Sequence, residues 1–259
     1  MKRRTTLKVS LVTGASSGIG REFVKQLSER GYDKIYCIAR RESRLFDLIN
    51  EFGDKILPIV ADLSIENSFS MIVDRLGQDN IEKIDTLVAA AGFGKFGSFA
   101  NNNEADMEAE VNVNILGVMR TVRAALPFLK SGSKVIIMGS QSSFQPLPEF
   151  NVYASTKAFI LHFGRALNVE LSKGGVTVTT VCPGYVATEF FDVAKQSGDP
   201  SACQNFSPLY LASDVVRRAL VDSDNGKDVS IYGARIKGAR LLAKILPHKL
   251  VMRVWLKIK

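Results

Sequence analysis

Seven short runs of apolar, largely β-branched residues recur along the chain, at 8–13, 34–39, 56–61, 86–90, 134–139, 176–182 and 229–232, with stretches of helical period between them. No other feature of the sequence restricts the fold so strongly. Strands that alternate with helices pair in parallel through right-handed crossovers, and the helices cover both faces of the sheet. The runs hold few internal polar residues, as expected of strands buried on both faces. Helices are predicted at 18–30 and 152–172, among others, the second placing Phe159, Phe163, Ala166 and Leu167 at spacings of three and four. The sequence shows no internal repeat, low-complexity tract or Pro/Ser linker. The expected architecture is one α/β domain over 1–233, a doubly wound, mostly parallel seven-stranded sheet, followed by a tail at 234–259.

The 259 residues suffice for a sizeable core, and 46% hydrophobic with 23% charged residues excludes a disordered, collagen-like or coiled-coil chain. The net charge of +8 raises the question of nucleic acid or membrane. Its placement matters more than its size. Eight basic residues (Arg235, Lys237, Arg240, Lys244, Lys249, Arg253, Lys257 and Lys259) and no acid lie in 234–259, so the remainder balances at 26 basic and 26 acidic residues. No basic stripe crosses the body and no nucleic-acid partner is expected. Cys37, Cys182 and Cys203 show no C-x-x-C spacing, which fits a reducing, cytoplasmic setting rather than a disulfide framework or zinc site. The basic residues at the start precede an apolar stretch of only five residues, 9–13, which runs into glycines, so a signal peptide is not expected. His162 and His248 lack partners at ligand spacing, and no metal is expected.

The first strand ends in Thr13-Gly14-Ala15-Ser16-Ser17-Gly18-Ile19-Gly20, and a helix follows. Glycines there permit a tight turn and let the backbone approach a pyrophosphate, which rests on the free N–H groups of the helix start. An acidic residue at the end of the second strand would bond the adenosine ribose hydroxyls and favour NAD. This strand ends Cys37-Ile38-Ala39-Arg40-Arg41. Arginine forks suit a 2′-phosphate, so NADP(H) is expected, with NAD(H) as second candidate. Arg40 is taken as the phosphate ligand and Arg41 as a solvated surface residue. Asp62, at the end of the third strand, is placed either to meet the adenine amino group or to cap a helix.

Tyr153-Ala154-Ser155-Thr156-Lys157 sets a phenol and an ammonium four apart on one helical face. A free phenol titrates near ~10, and a neighbouring cation lowers that value toward the range useful for proton transfer. Ser140, just past the fifth strand, stands where it could hold a substrate oxygen beside the phenol.

Together these residues resemble the short-chain dehydrogenase/reductase family over residues 8 to about 233. The TGxxxGxG turn matches at Gly14, Gly18 and Gly20, and the Ser–Tyr–Lys set at Ser140, Tyr153 and Lys157. The N-x-x-G motif matches at Asn114 to Gly117, and the P-G-x-x-x-T stretch at Pro183 to Thr188. The tail is similar to that of bacterial-type members with various substrate specificities. The resemblance implies a Rossmann fold, commonly a homodimer or homotetramer, and hydride exchange between nicotinamide and a carbonyl or secondary alcohol substrate. It implies Tyr153 as general acid/base, Ser140 orienting the carbonyl, Lys157 on the nicotinamide ribose and Asn114 in a water-linked proton relay. The cofactor groove would comprise Gly14, Ser16, Ser17, Gly18, Ile19, Gly20, Arg40, Asp62, Leu63, Ala91 and Gly92, with Pro183, Gly184, Val186 and Thr188 at the nicotinamide amide.

The chain departs from that pattern twice. It reads Ala89-Ala90-Ala91-Gly92 where the family has N-N-A-G, which puts a polar tie of the central sheet in question. Ser17 stands where many NADPH-preferring members carry a basic residue. Two further stretches carry expectations of their own. Residues 189–212 read as a loop rich in Phe190, Phe191, Phe206, Leu209 and Tyr210, expected to cover the ligand crevice. The tail reads as two helices split by Pro247, the second with Leu250, Val251, Val254, Trp255 and Ile258 on one face and Lys249, Arg253 and Lys257 on another. Such a helix suits either packing on the body or across a dimer, or peripheral contact with a membrane. The competing function is a dinucleotide-binding regulator or membrane-associated scaffold without turnover.

Overall fold

The structure is a computed structural model that describes residues 7–196 and 205–258. The seven apolar runs all become strands. The first six are β1 (Val9–Thr13), β2 (Lys34–Ala39), β3 (Ile56–Val60), β4 (Thr86–Ala89), β5 (Lys134–Met138) and β6 (Thr177–Val181). After a short parallel pair, β7 (Tyr185–Val186) and β8 (Leu209–Tyr210), the seventh run forms β9 (Val229–Ser230). The main sheet is parallel throughout, in the order β3-β2-β1-β4-β5-β6-β9, with Leu11 opposite Tyr36 on one side and Leu87 on the other. Strand order reverses between β1 and β4, and a doubly wound sheet opens its binding crevice beyond the strand ends at such a point.

The crossovers are α1 (Gly18–Glu29), α2 (Glu42–Phe52), α3 (Ser68–Gln78), α4 (Glu104–Val111), α5 (Val118–Ala125) and α6 (Asn151–Ser172). Further on come α7 (Phe190–Ala194) and α8 (Ala212–Asp224). Period two along the strands divides the core. Leu11, Ile38, Leu87 and Ile137 pack with Ile72 of α3, Val122 of α5 and Ile160 of α6. Val12, Cys37, Val88 and Ile136 face the other way, onto Phe23 of α1, Leu48 of α2 and Val216 of α8. Each fully buried aliphatic or aromatic side chain contributes about 1.5–3 kcal/mol.

Two expectations need correction, and one local feature goes beyond what the sequence pattern showed. Residues 189–212 are not simply a loop, since they form α7 and β8; the stretch 197–204, with Cys203, lies outside the described residues. Between α4 and α5 the backbone adopts a π-helical turn over Asn112–Gly117, a local widening that hydrophobic period does not reveal. The tail does form two helices, α9 (Ala234–Ile245) and α10 (His248–Ile258), on either side of Pro247. The apolar arc of its second helix, however, is not buried as a whole: Trp255 at one edge is buried, whereas Leu250, Val254 and Ile258 are exposed. At about 100° per residue, Leu250 and Val254 point well away from Trp255.

Candidate active site

A cleft of about 720 Å³ lies beyond the C-terminal ends of the strands. Its floor begins at the turn after β1. Gly14 has φ +67°, and a Cβ there would stand 2.8 Å from the backbone nitrogen of Ala91, so only glycine lets this turn nest against the end of β4. Ser17 precedes α1 with extended backbone and makes no side-chain cap, and the first turn of α1 holds no acid. The N–H groups at the start of α1, beside Ser16, Ser17, Gly18, Ile19 and Gly20, therefore remain suited to an anion, and all five residues line the cleft. A diphosphate fits this cradle.

Where the chain reads Ala89-Ala90, a polar tie of the central sheet is still present, made by β1. Thr13 Oγ1 accepts hydrogen bonds from the backbone N–H of Ala90 (3.2 Å) and Ala91 (3.3 Å), joining β1 to the end of β4. Ala91 and Gly92 line the cleft just beyond.

At the adenosine end the two arginines exchange emphasis. Arg40 is largely exposed and approaches Asp62 only at 3.8 Å. Arg41, expected to be a bystander, donates to Ser16 Oγ (3.3 Å) and pairs with Glu189 at 3.0 Å. Both line the cleft, so two guanidinium groups border it beyond the end of β2, where no acid stands. Asp62 does not cap α3, whose N-cap is Asn67. Its Oδ1 instead accepts from the N–H (2.9 Å) and hydroxyl (2.8 Å) of Ser64, holding the turn that carries Leu63, and Asp62 and Leu63 both border the cleft.

The three chemical residues converge where β5 meets α6. Ser140 follows β5, and its Oγ accepts from the N–H of Ser142 (3.1 Å) while Ser143 Oγ accepts from the N–H of Ser140 (3.2 Å), a reciprocal cap that fixes its direction. Tyr153 and Lys157 rise from the same side of α6, one turn apart, and both are buried. Lys157 Nζ donates to the carbonyl of Met138 at 2.8 Å and sits 5.6 Å from the Tyr153 ring centroid. Burial pushes the Lys157 ammonium down to about 8. The expected lowering of the Tyr153 phenol is not what this environment produces: burial raises it, and the hydrogen bond from Ser140 opposes that only in part. The phenol therefore holds its proton at neutral pH.

Asn114, in the π-helical turn, spends its side chain on bracing. Its Oδ1 accepts from the N–H of Phe93 (3.0 Å), and its Nδ2 donates to the carbonyl of Phe93 (2.8 Å) and to Thr156 Oγ1 (3.1 Å). The amide thus pins the β4–α4 connection to α6 between Tyr153 and Lys157. Pro183, Gly184, Val186 and Thr188 line the far wall, with Thr188 Oγ1 3.4 Å from the N–H of Phe190.

Several site residues carried no signal in the sequence. Gly94 lies against the phenol, where a Cβ would stand 2.5 Å from Tyr153 Cδ2. Glu110 is almost wholly buried on α4; its Oε1 accepts from the N–H of Lys95 (2.6 Å) and its Oε2 has no partner. Burial pushes that carboxyl up to about 8. Only its position four residues before Asn114, on the same helix side, could have marked it. An aromatic wall completes the pocket. Phe150 stacks on Tyr153 at 4.4 Å, Phe190 lies 5.4 Å from it, and Phe96, Phe191, Phe206 and Trp255 extend the cluster. Trp255 anchors α10 there by donating its indole N–H to the carbonyl of Pro148.

The chain matches the short chain dehydrogenase family model over residues 8–198. It is 33% identical over 227 residues to an uncharacterized oxidoreductase of Staphylococcus epidermidis, covering 87% of this chain and 90% of that protein. Among solved structures it is similar to a short-chain dehydrogenase from Sphingobium yanoikuyae in complex with NADPH (27% identity, TM-score 0.76, 93% of this chain and 97% of that one). A bulky-bulky ketone specific alcohol dehydrogenase from Comamonas testosteroni is also similar (26% identity, TM-score 0.72, 93% of each chain). The family match spans the strands that build the cleft and all three of its chemical residues, and the chain is a short-chain dehydrogenase, an oxidoreductase built as a single Rossmann domain.

Proposed function

We propose that this protein is an NADP(H)-dependent reductase of apolar ketones or aldehydes, or the dehydrogenase of the corresponding secondary alcohols. The observation that carries the reading is the meeting of Ser140, Tyr153 and Lys157 at one end of a cleft whose other end is an anion cradle flanked by Arg40 and Arg41. The solved relatives bound to NADPH or specific for bulky ketones support it.

A bound nicotinamide cofactor supplies or receives the hydride. The N–H groups at the start of α1 hold its diphosphate, and Arg41, steadied by Ser16 and Glu189, supplies a fork for a 2′-phosphate together with Arg40. In reduction the Tyr153 hydroxyl donates its proton to the substrate oxygen, and Ser140 donates a hydrogen bond to the same atom. A phenol raised by burial is a proton donor at rest, which suits reduction. An ammonium has three N–H donors, and one of those on Lys157 is engaged by Met138. The others are available to a ribose and to negative charge growing on Tyr153 as its proton leaves. Asn114 holds the loop and α6 in register, and the π-helical turn around it is the place for a water-linked proton path. Phe96, Phe150, Phe190, Phe191 and Phe206 exclude water and accept an apolar substrate, with α7 acting as its cover. Assembly as a dimer or tetramer belongs to the same reading.

NADPH oxidation measured against a panel of bulky and small carbonyl compounds tests it, with Tyr153→Phe as control. Turnover of apolar ketones that falls by about 10²–10⁴ in the variant is the expected result. Turnover insensitive to the substitution overturns the mechanism. Tight cofactor binding without any turnover points instead to a dinucleotide-binding regulator.

A further inference from the structure

The tail helices α9 and α10 present an apolar surface to the outside, bordered by cations, that neither the fold nor the cleft requires. Of the 21 large hydrophobic residues exposed among the described residues, seven lie in 234–258. On α9, Ile236 and Ala243 face the body, while Leu241, Leu242 and Ile245 are 59%, 56% and 69% exposed. With about 100° per residue these three share the side opposite Ile236, and Lys237 and Lys244 run along one border of that stripe with Arg235 along the other. On α10, Trp255 points inward, and Leu250 and Val254 lie outside beside Arg253 and Lys257. Exposed aliphatic side chains gathered on one side of α9, with more on α10, mark a contact surface.

We infer that the outward face of α9 and α10 docks on an anionic phospholipid bilayer. Charge decides the occupant. From 234 to 259 the chain has eight basic residues and no acid, so a second copy of the same face would bring like charges together. A nucleic acid would meet the cations but leave the leucine stripe in water. An anionic bilayer satisfies both, with aliphatic side chains at the acyl boundary and ammonium and guanidinium groups among the headgroups. No helix among the described residues is long and apolar enough to cross a membrane, so the contact is peripheral. Because Trp255 on the inner side of α10 lines the catalytic cleft, the docked helix would separate that cleft from the lipid by its own thickness. The inference stands on the tail surface alone and goes beyond the proposed reaction.

Full-length protein is mixed with phosphatidylcholine vesicles and with vesicles containing phosphatidylglycerol, and binding is read by co-sedimentation. Anionic vesicles should bind it roughly tenfold or more better than neutral ones, with loss as salt rises. The exposed-face variants are Leu241→Ser/Leu242→Ser/Ile245→Ser and Lys237→Glu/Lys244→Glu. Both should lose that binding while thermal unfolding and NADPH binding stay as in the parent. Absence of a preference for anionic vesicles overturns the inference, as does vesicle binding that either variant retains in full. A parent that self-associates, becomes monomeric in the leucine variant and ignores vesicles assigns the face to a second copy instead. Turnover is not a readout here, so a failure of this inference is distinguishable from a failure of the proposed function.

Discussion

The Trp255 indole donates to the carbonyl of Pro148 at 2.9 Å, joining residues 107 positions apart in the chain. That bond brings the end of the polypeptide against the segment that leads into α6, and so against Tyr153. The tail is therefore part of the pocket rather than an appendage. Trp255→Phe should keep most of the packing and lose about 1 kcal/mol with the hydrogen bond. Trp255→Ala should cost about 3–5 kcal/mol where the cavity does not refill. A fall in melting temperature graded Phe before Ala, with KM for apolar ketones rising in the same order, is the expected result.

Gly94 leaves no room for a methyl group beside the phenol. In Gly94→Ala the ring of Tyr153 must move while the sheet does not. Near-attack geometry tolerates little displacement, and a shift of about 1 Å lowers turnover by about 10². The check is kcat in the variant alongside cofactor affinity, which should stay near that of the parent because the anion cradle is remote.

Arg41 contacts the glycine turn after β1 through Ser16, whereas Arg40 reaches outward. Arg41→Ala should raise KM for NADPH by about 10-fold or more and change KM for NADH much less, since only a 2′-phosphate calls for the charge-assisted fork. Equal effects on both cofactors would show that the arginine supports the turn and does not read the phosphate.

Glu110 couples stability to pH. Lys95 lies toward it from the β4–α4 connection, Asp106 from its own helix, and Lys157 and Tyr153 from α6. Its carboxyl is raised from an ordinary value of 4.5 to about 8 by burial, so the folded state holds a proton that the unfolded chain releases. Its contribution is most favourable below pH 4.5 and is lost progressively as pH rises to about 8, by an amount on the order of a few kcal/mol. Lys157 acts with the opposite slope and in a higher window, from about 8 up to 10.5, where the unfolded chain binds the extra proton. Glu110→Gln should therefore flatten the decline in melting temperature between pH 5 and 8. An unchanged profile would show that Glu110 is not the group responsible.

Strands and crossovers were legible because each has a local signature, and the candidate site residues were marked by theirs. β-branched runs declare strands, glycine after a strand declares the phosphate turn, and Tyr153 with Lys157 declares a shared helical side. Asn114 and Ser140 were legible through the motif they share with the family, yet the work of Asn114, bracing Phe93 and Thr156, depends on which backbone happens to lie opposite. Arg40 and Arg41 are adjacent, and nothing in their order reveals which one turns toward Ser16.

By itself, then, the sequence determined the order of elements, the parallel sheet, the glycine turn before α1 and the concentration of charge in the tail. Tertiary structure decided how the remote parts meet. Thr13 ties β1 to the end of β4 because those strands are neighbours only once the sheet is formed. Glu110 became a buried carboxyl with one oxygen left without a partner only when α4 packed on α6. Trp255, one residue in an amphipathic tail, turned inward because the aromatic cluster and the Pro148 carbonyl offered its large ring and its N–H a common place, while its aliphatic neighbours stayed outside. Local patterns fix what each segment can form, but burial and hydrogen-bond partners arise between segments far apart in the chain.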